Sequence, residues 1–268
     1  RTGDPMRRAA SRGLAGLGLA AALLHAPAAM AGRHCEASVV TQDQIRQGMG
    51  LAERVSKALD ASGAQVVLLA RMGQDLGKYR QRYSHMGWAY KTPEGWRVVH
   101  KLNECGTDHG DVFRQGLAQF FLDNLYRYEA GYVVPTSEVQ ARMLTLLKDD
   151  RLVAQLHERA YSMLAYTWAQ RYQQSNQWAL ESMALAMEPA VTTREKAQAW
   201  LRLKSYEPAQ LEISALTRLG ARVTRANIAF DDHPDELRYS SRIRTTTVDS
   251  VFAWLSQHGM TSTVMTVN

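Results

Sequence analysis

Two short runs with strand-like composition, residues 84–91 and 96–102, flank the tetrapeptide Thr92-Pro93-Glu94-Gly95. Proline presets the backbone angle of a turn and glycine supplies a positive φ, so this tetrapeptide predicts an antiparallel hairpin. Upstream, Val66-Val67-Leu68-Leu69 within residues 65–72 reads as a buried strand. The hairpin and this strand commit the chain to a sheet. Apolar residues at spacings of three and four predict the helices that cover it. Thr41 with Gln44 is a capping-box start for a helix carrying Ile45, Met49, Ala52, Val55 and Leu59, ending near Ser62-Gly63. Residues 112–125 show helical spacing through Phe113, Leu117, Phe120 and Phe121, and residues 132–134 read as a short strand stopped by Pro135. Further helices are expected from Ser137, over 152–163, from Asn176 onward through Trp178, Glu181 and Met187, from Thr192 to near Leu203, and over 248–258. Residues 222–230 are β-prone, and 242–247 read as a last strand. With no internal repeat and no linker, the pattern predicts one α+β domain with a small antiparallel sheet packed against helices.

The first 31 residues read as an address label. Met6 is followed by Arg7, Arg8 and Arg12, then by an apolar stretch over 13–24, then by Ala29-Met30-Ala31. That order is a basic segment, an apolar segment and an Ala-x-Ala cleavage site. The apolar stretch is shorter than the roughly 20 residues of a membrane span. Export and cleavage after Ala31 are expected, which places the mature protein in the periplasm or outside the cell. Arg1 to Pro5 are expected to be upstream residues without fold information. The domain then runs over residues 32–268.

Composition changes meaning once this label is set aside. The whole chain carries +6, whereas residues 32–268 hold 28 basic and 25 acidic residues, net +3. A nucleic-acid partner loses its support, and no second apolar run predicts an integral membrane segment. Cys35 and Cys105 both lie in the exported part, where an oxidising compartment favours a disulfide between them.

Zinc-helix spacings, phosphate-binding glycine loops and the Gly-x-Ser-x-Gly elbow are all absent, so no cofactor is expected. What remains is a nucleophile at a helix start with histidines on strands. His85 and His100 fall on the two strands of the hairpin and could be cross-strand neighbours. Ser175 precedes the Asn176-Gln177-Trp178 helix, whose N-terminal dipole favours developing negative charge. The same residues also read as half-buried strand histidines and a helix cap. Asp231-Asp232-His233-Pro234-Asp235 reads as an acidic turn before it reads as a cation site. Trp88, Trp96, Trp168 and Trp178 read as core before groove. Arg71, Arg80 and Arg82 read as a solvated face before an anion site.

The segments Arg82-Tyr83-Ser84-His85-Met86-Gly87, Asn103-Glu104-Cys105, Arg114-Gln115-Gly116-Leu117, Arg171 to Trp178 and Asp231-Asp232-His233-Pro234 resemble, in order, the uncharacterised bacterial family DUF2145. That family in turn looks like a permuted relative of the NlpC/P60 and papain-like hydrolases. The resemblance implies a single papain-like domain in which His85 is the base and His100 its orienting residue. Ser175 would stand where the relatives carry cysteine, and Tyr172, Asn176, Gln177 and Trp178 would line the polar binding site. It implies a hydrolase or acyltransferase acting on an envelope peptide or another amide. The alternative is a non-catalytic envelope binding protein that keeps the fold and the cleft. Residues 208–268 contain no motif with assignable chemistry.

Overall fold

The computed structural model of the protein describes residues 40–268, apart from the side chains of residues 222–224. The expected export label and cleavage site, and Cys35, lie outside the described residues. Every residue of β1 (Val66–Met72) is buried, as expected of a central strand covered on both faces. β1 pairs antiparallel with β2 (His85–Thr92) on one side and with β5 (Arg127–Val133) on the other. The expected hairpin joins β2 to β3 (Gly95–Asn103), with Gly95 at φ 112° in its turn. β4 (Gly110–Gly116) and β8 (Met265–Val267) complete an antiparallel sheet of order β4-β3-β2-β1-β5-β8.

Alternation along the strands divides the core in two. Leu68, Ala70, Met86, Trp88 and Val99 point to one face, where they pack with Met143, Trp178, Met183 and Phe252. These partners come from α3 (Ser137–Lys148), α5 (Ser175–Met187) and α9 (Val248–Gln257). Val67, Leu69, Ala89 and Val98 point to the other face and meet Leu51, Val55, Phe120 and Phe121. Those come from α1 (Gln42–Ala61) and α2 (Leu117–Phe121), and each fully buried Leu, Val or Phe contributes about 1.5–3 kcal/mol of hydrophobic stabilisation. The α1 capping box forms as expected, with Gln44 N–H donating to Thr41 Oγ1 and Thr41 N–H to Gln44 Oε1.

Helix α4 (Asp150–Gln155) follows α3, and α6 (Arg194–Leu203) follows α5. A separate two-stranded sheet joins β6 (Ala209–Glu212) to β7 (Arg242–Thr245). Around it lie α7 (Ala215–Thr224) and the short α8 (Asp235–Arg238).

Three expectations are corrected. Residues 110–116 are strand rather than the start of a helix, because the open edge of β3 takes them from Gly110 opposite Asn103 to Gly116 opposite Arg97; sheet pairing overrides the local period. The helix expected to reach residue 163 ends at Gln155, since Arg159 O and Tyr161 N–H bond to Gly110 N–H and Asp108 O beside β4. Residues 222–230 form no strand: α7 runs to Thr224, and the pairing belongs to β6 and β7.

Candidate active site

His85 and His100 are brought together as the hairpin predicts. His85 Nε2 lies 2.8 Å from His100 Nδ1, and His100 Nε2 lies 3.0 Å from Gln115 Oε1 on β4. With the amide oxygen accepting from His100 Nε2, His100 Nδ1 is left to accept from His85 Nε2–H, so the donors run from β2 to β4. Both rings pack on Phe120, at centroid distances of 5.9 and 5.1 Å. Burial, with help from the nearby Arg71 guanidinium, pulls the His100 pKa down to about 3 and holds the ring neutral. Arg71 itself binds Phe120 O and, at 2.5 Å, the Asp123 carboxylate. Gly87 makes this pair possible, since a β-carbon there would sit 2.7 Å from the Cβ of His100.

The expected nucleophile does not join them. His85 and His100 share strand parity with Ala89 and Val98, which places both rings on the face of α1 and α2. Ser175 opens α5, on the opposite face, where Asn176 Oδ1 accepts from Met86 N–H at 3.1 Å and Asn176 Nδ2 donates to Ser84 O. Ser175 Oγ bonds to Tyr161 and to neither histidine, so the hydrogen bonds among the described residues do not join Ser175 to His85 and His100. Parity is legible in the sequence; which face α5 would choose is not.

Ser175 has other neighbours. Its Oγ lies 3.3 Å from the hydroxyl of Tyr161, a residue of the irregular segment after α4. Burial raises the Tyr161 pKa, the Ser175 contact opposing it. Lys101 Nζ lies 5.8 Å from the Tyr161 ring centre and donates to Glu158 O and, at 3.1 Å, to Gln173 Oε1. Lys101 is wholly buried, and burial followed by repulsion from Arg194 lowers its pKa to about 7, with Glu181 opposing. Burial is the larger cause; charge adds to it, because Arg194 repels Lys101 while itself holding the buried Glu181 carboxylate at 2.8 Å. Gln173, Gln177 and Gln198 each donate to Glu181 as well. Gly110 admits the pair, because a β-carbon there would meet the Tyr161 ring at 2.9 Å and Lys101 Cε at 3.1 Å. Sequence reading missed Lys101 and Tyr161; the one available signal was a lysine placed among apolar strand residues.

The expected binding residues turn inward. Asn176 ties α5 to β2, Gln177 Nε2 donates to Thr167 O and Glu181, and Trp178 is core. The Tyr172 ring lies 5.2 Å from the Arg171 guanidinium. Trp88 and Trp96 are buried as well. The acidic turn clamps the chain entering α5: Asp232 accepts from Tyr166 N–H at 2.7 Å and contacts His233 Nδ1 at 2.9 Å, while Asp231 pairs with Arg171 at 2.7 Å. Among the described residues no three metal-ligating side chains gather, and no helix is long and apolar enough to cross a membrane. Cys105, exposed in the turn after β3, is disulfide-bonded.

A bacterial family described as uncharacterised conserved proteins, DUF2145, matches residues 58–255. The chain belongs to the DUF2145 family. No curated protein and no solved structure matches it. The part matched to DUF2145 contains both the histidine pair and the Ser175–Tyr161–Lys101 group, so each is set within the family's own span.

Proposed function

We propose that this DUF2145 protein is an exported hydrolase or acyltransferase that acts on an amide or acyl bond of an envelope substrate, with Ser175 as nucleophile. The observation that carries the proposal is the Ser175 hydroxyl at the start of α5, 3.3 Å from the Tyr161 hydroxyl, with Lys101, its pKa lowered to about 7, 5.8 Å from the Tyr161 ring centre. As a neutral amine, Lys101 has two N–H groups for Glu158 O and Gln173 Oε1, which leaves one lone pair to take a proton. In the proposed step Ser175 Oγ bonds to the substrate carbonyl carbon, and the carbonyl electron pair moves to oxygen. The serine proton passes to Tyr161 as the Tyr161 proton leaves, through an intervening water, for Lys101, whose Nζ is 5.8 Å from the Tyr161 ring centre. Collapse expels the amine or alcohol, which recovers the proton from Lys101 and leaves an ester on Ser175. Water then repeats the sequence and releases the acid. The positive end of the α5 dipole favours the oxyanion.

A nucleophile on a helix start packed against an antiparallel sheet is the feature this reading keeps from the papain-like expectation; the base comes from a different strand position. Export is supported by the label over residues 6–31 and by the disulfide at Cys105. Recovered mature protein should begin at Gly32 and lose no thiol-reactive mass until reduced.

The test is labelling with an alkyl fluorophosphonate, a serine-directed acyl-transfer mimic. Wild type and His85→Ala should label, Ser175→Ala should not, and Lys101→Met should label about a hundredfold more slowly. Labelling that persists in Ser175→Ala, or is lost in His85→Ala with the fold intact, overturns the assignment.

A second reading has its own observation. Ser175, Tyr161 and Lys101 are 5%, 7% and 0% exposed, and each bonds within the protein. On that reading the group is an interior polar frame and the protein binds an envelope partner without catalysis. A wild type that stays unlabelled, while Ser175→Ala keeps full stability, decides for it.

A further inference from the structure

At the end of the sheet where β1 stops and β2 and β5 begin, a groove of about 420 Å³ opens between Met72, Arg80, Arg82, Tyr126, Arg127 and Asp249. Its charges are unequally committed. Arg82 is bonded to Glu129 at 2.7 Å. The Asp249 carboxylate accepts from Arg82 N–H and Tyr83 N–H, at 2.9 and 3.2 Å, and so is turned to the backbone. A second carboxylate of the rim, Asp75, accepts from Gly77 N–H at 3.0 Å. The guanidinium groups of Arg80 and Arg127, by contrast, meet no carboxylate among the described residues. Tyr126, 51% exposed, supplies an aromatic wall beside them.

Arg80 has a second peculiarity. It closes the short 3-10 turn Gly77–Tyr79 in the left-handed region, at φ 56°. Glycine or asparagine adopts that conformation at lower cost than a long side chain does. An arginine kept there places a fork of five N–H donors on the groove, beside a second uncommitted fork from Arg127.

We propose that this groove is a binding site for a small anionic ligand bearing a phosphate or carboxylate group, held between Arg80 and Arg127. Guanidinium groups pair with such oxyanions through two parallel hydrogen bonds, and a concave site suits a small molecule better than a flat membrane surface. The proposal does not depend on the Ser175 chemistry, and the groove would be filled whether or not that serine reacts.

The probes are inorganic phosphate and acetate, titrated into the full chain at constant ionic strength and followed by calorimetry and by the shift in thermal midpoint. Wild type should bind at least one of them saturably, with a midpoint that rises with ligand. Arg80→Asn, which suits the left-handed backbone, and Arg127→Gln should each weaken binding about tenfold or more with unchanged circular dichroism. Arg171→Gln, which removes the arginine paired with Asp231, should leave binding unchanged. Equal affinity in all four proteins, no saturation by either anion, or binding seen only on phosphatidylglycerol vesicles would each overturn the site.

Discussion

The two faces of the sheet carry polar groups of the same general kind and treat them differently. On the α1 and α2 face, His85, His100 and Gln115 form a hydrogen-bonded relay around a neutral His100, packed on one aromatic ring, and the buried Arg71 beside it is matched by Asp123. On the α5 face, Lys101, Glu181 and Arg194 bring formal charges into the interior, two positive against one negative. The difference teaches where chemistry can be stored. A relay of satisfied hydrogen bonds stays put, whereas burial, with repulsion from Arg194 added, leaves one group, Lys101, with a proton it holds weakly near neutral pH. Each face also needs one glycine, Gly87 for the histidines and Gly110 for Tyr161 and Lys101.

The sharpest way to break this comparison is Glu181→Gln. It removes the carboxylate that Arg194 pairs with among the described residues and should cost about 3–5 kcal/mol in urea unfolding. A loss below 1 kcal/mol would mean that the α5 face is not organised by charge. The two faces should also differ in pH dependence. Lys101 has a folded pKa of about 7 against an ordinary 10.5, so between those values the unfolded chain binds the proton and the folded chain does not. Its contribution to stability therefore rises with pH through that window, and the difference between wild type and Lys101→Met should show it. His100, lowered from 6.5 to about 3, makes the fold weaken as pH falls through that lower window, and His100→Asn should flatten the acid limb. Coincident windows for the two variants would erase the distinction.

Smaller effects sharpen it further. Gly87→Ala and Gly110→Ala should each cost about 1–3 kcal/mol by overpacking. The first should move the His85 and His100 imidazole resonances, and the second should alter fluorophosphonate labelling of Ser175. If both changed labelling equally, the faces would be coupled rather than separate. Least of all, Thr41→Ala should remove about 1 kcal/mol through the α1 cap and leave labelling unaltered.

Local signals were legible in the sequence where local physics decides. The Pro93-Gly95 turn, the Thr41–Gln44 box and the four apolar residues from Val66 to Leu69 foretell β1, β2, β3 and α1 closely. The His85–His100 contact follows from the hairpin alone. What the sequence could not show depends on distant partners. Residues 112–116, the start of a stretch with a helical period, are drawn into the edge of β3, and the three residues of β8 pair with β5 far upstream. The candidate site was half legible: Ser175 announces itself as a helix start, but Tyr161 reaches it from an irregular segment without a pattern. Lys101 becomes notable because distant segments bury it, with Arg194, remote in sequence, adding repulsion.

Helix α5 has no solvent face over its first three turns: every residue from Ser175 to Ala184 is buried. A helix of that kind gains nothing from forming before its surroundings exist, since its stability comes from packing on β2, β3, α3 and α6. In hydrogen exchange its central amides should therefore open only when the whole domain opens, at the free energy of global unfolding. The segment over residues 156–174, which brings Tyr161 to the serine without regular structure of its own, should exchange sooner. Exposure of the Ser175 hydroxyl would then be a local event in that segment, timed independently of the helix on which the hydroxyl sits.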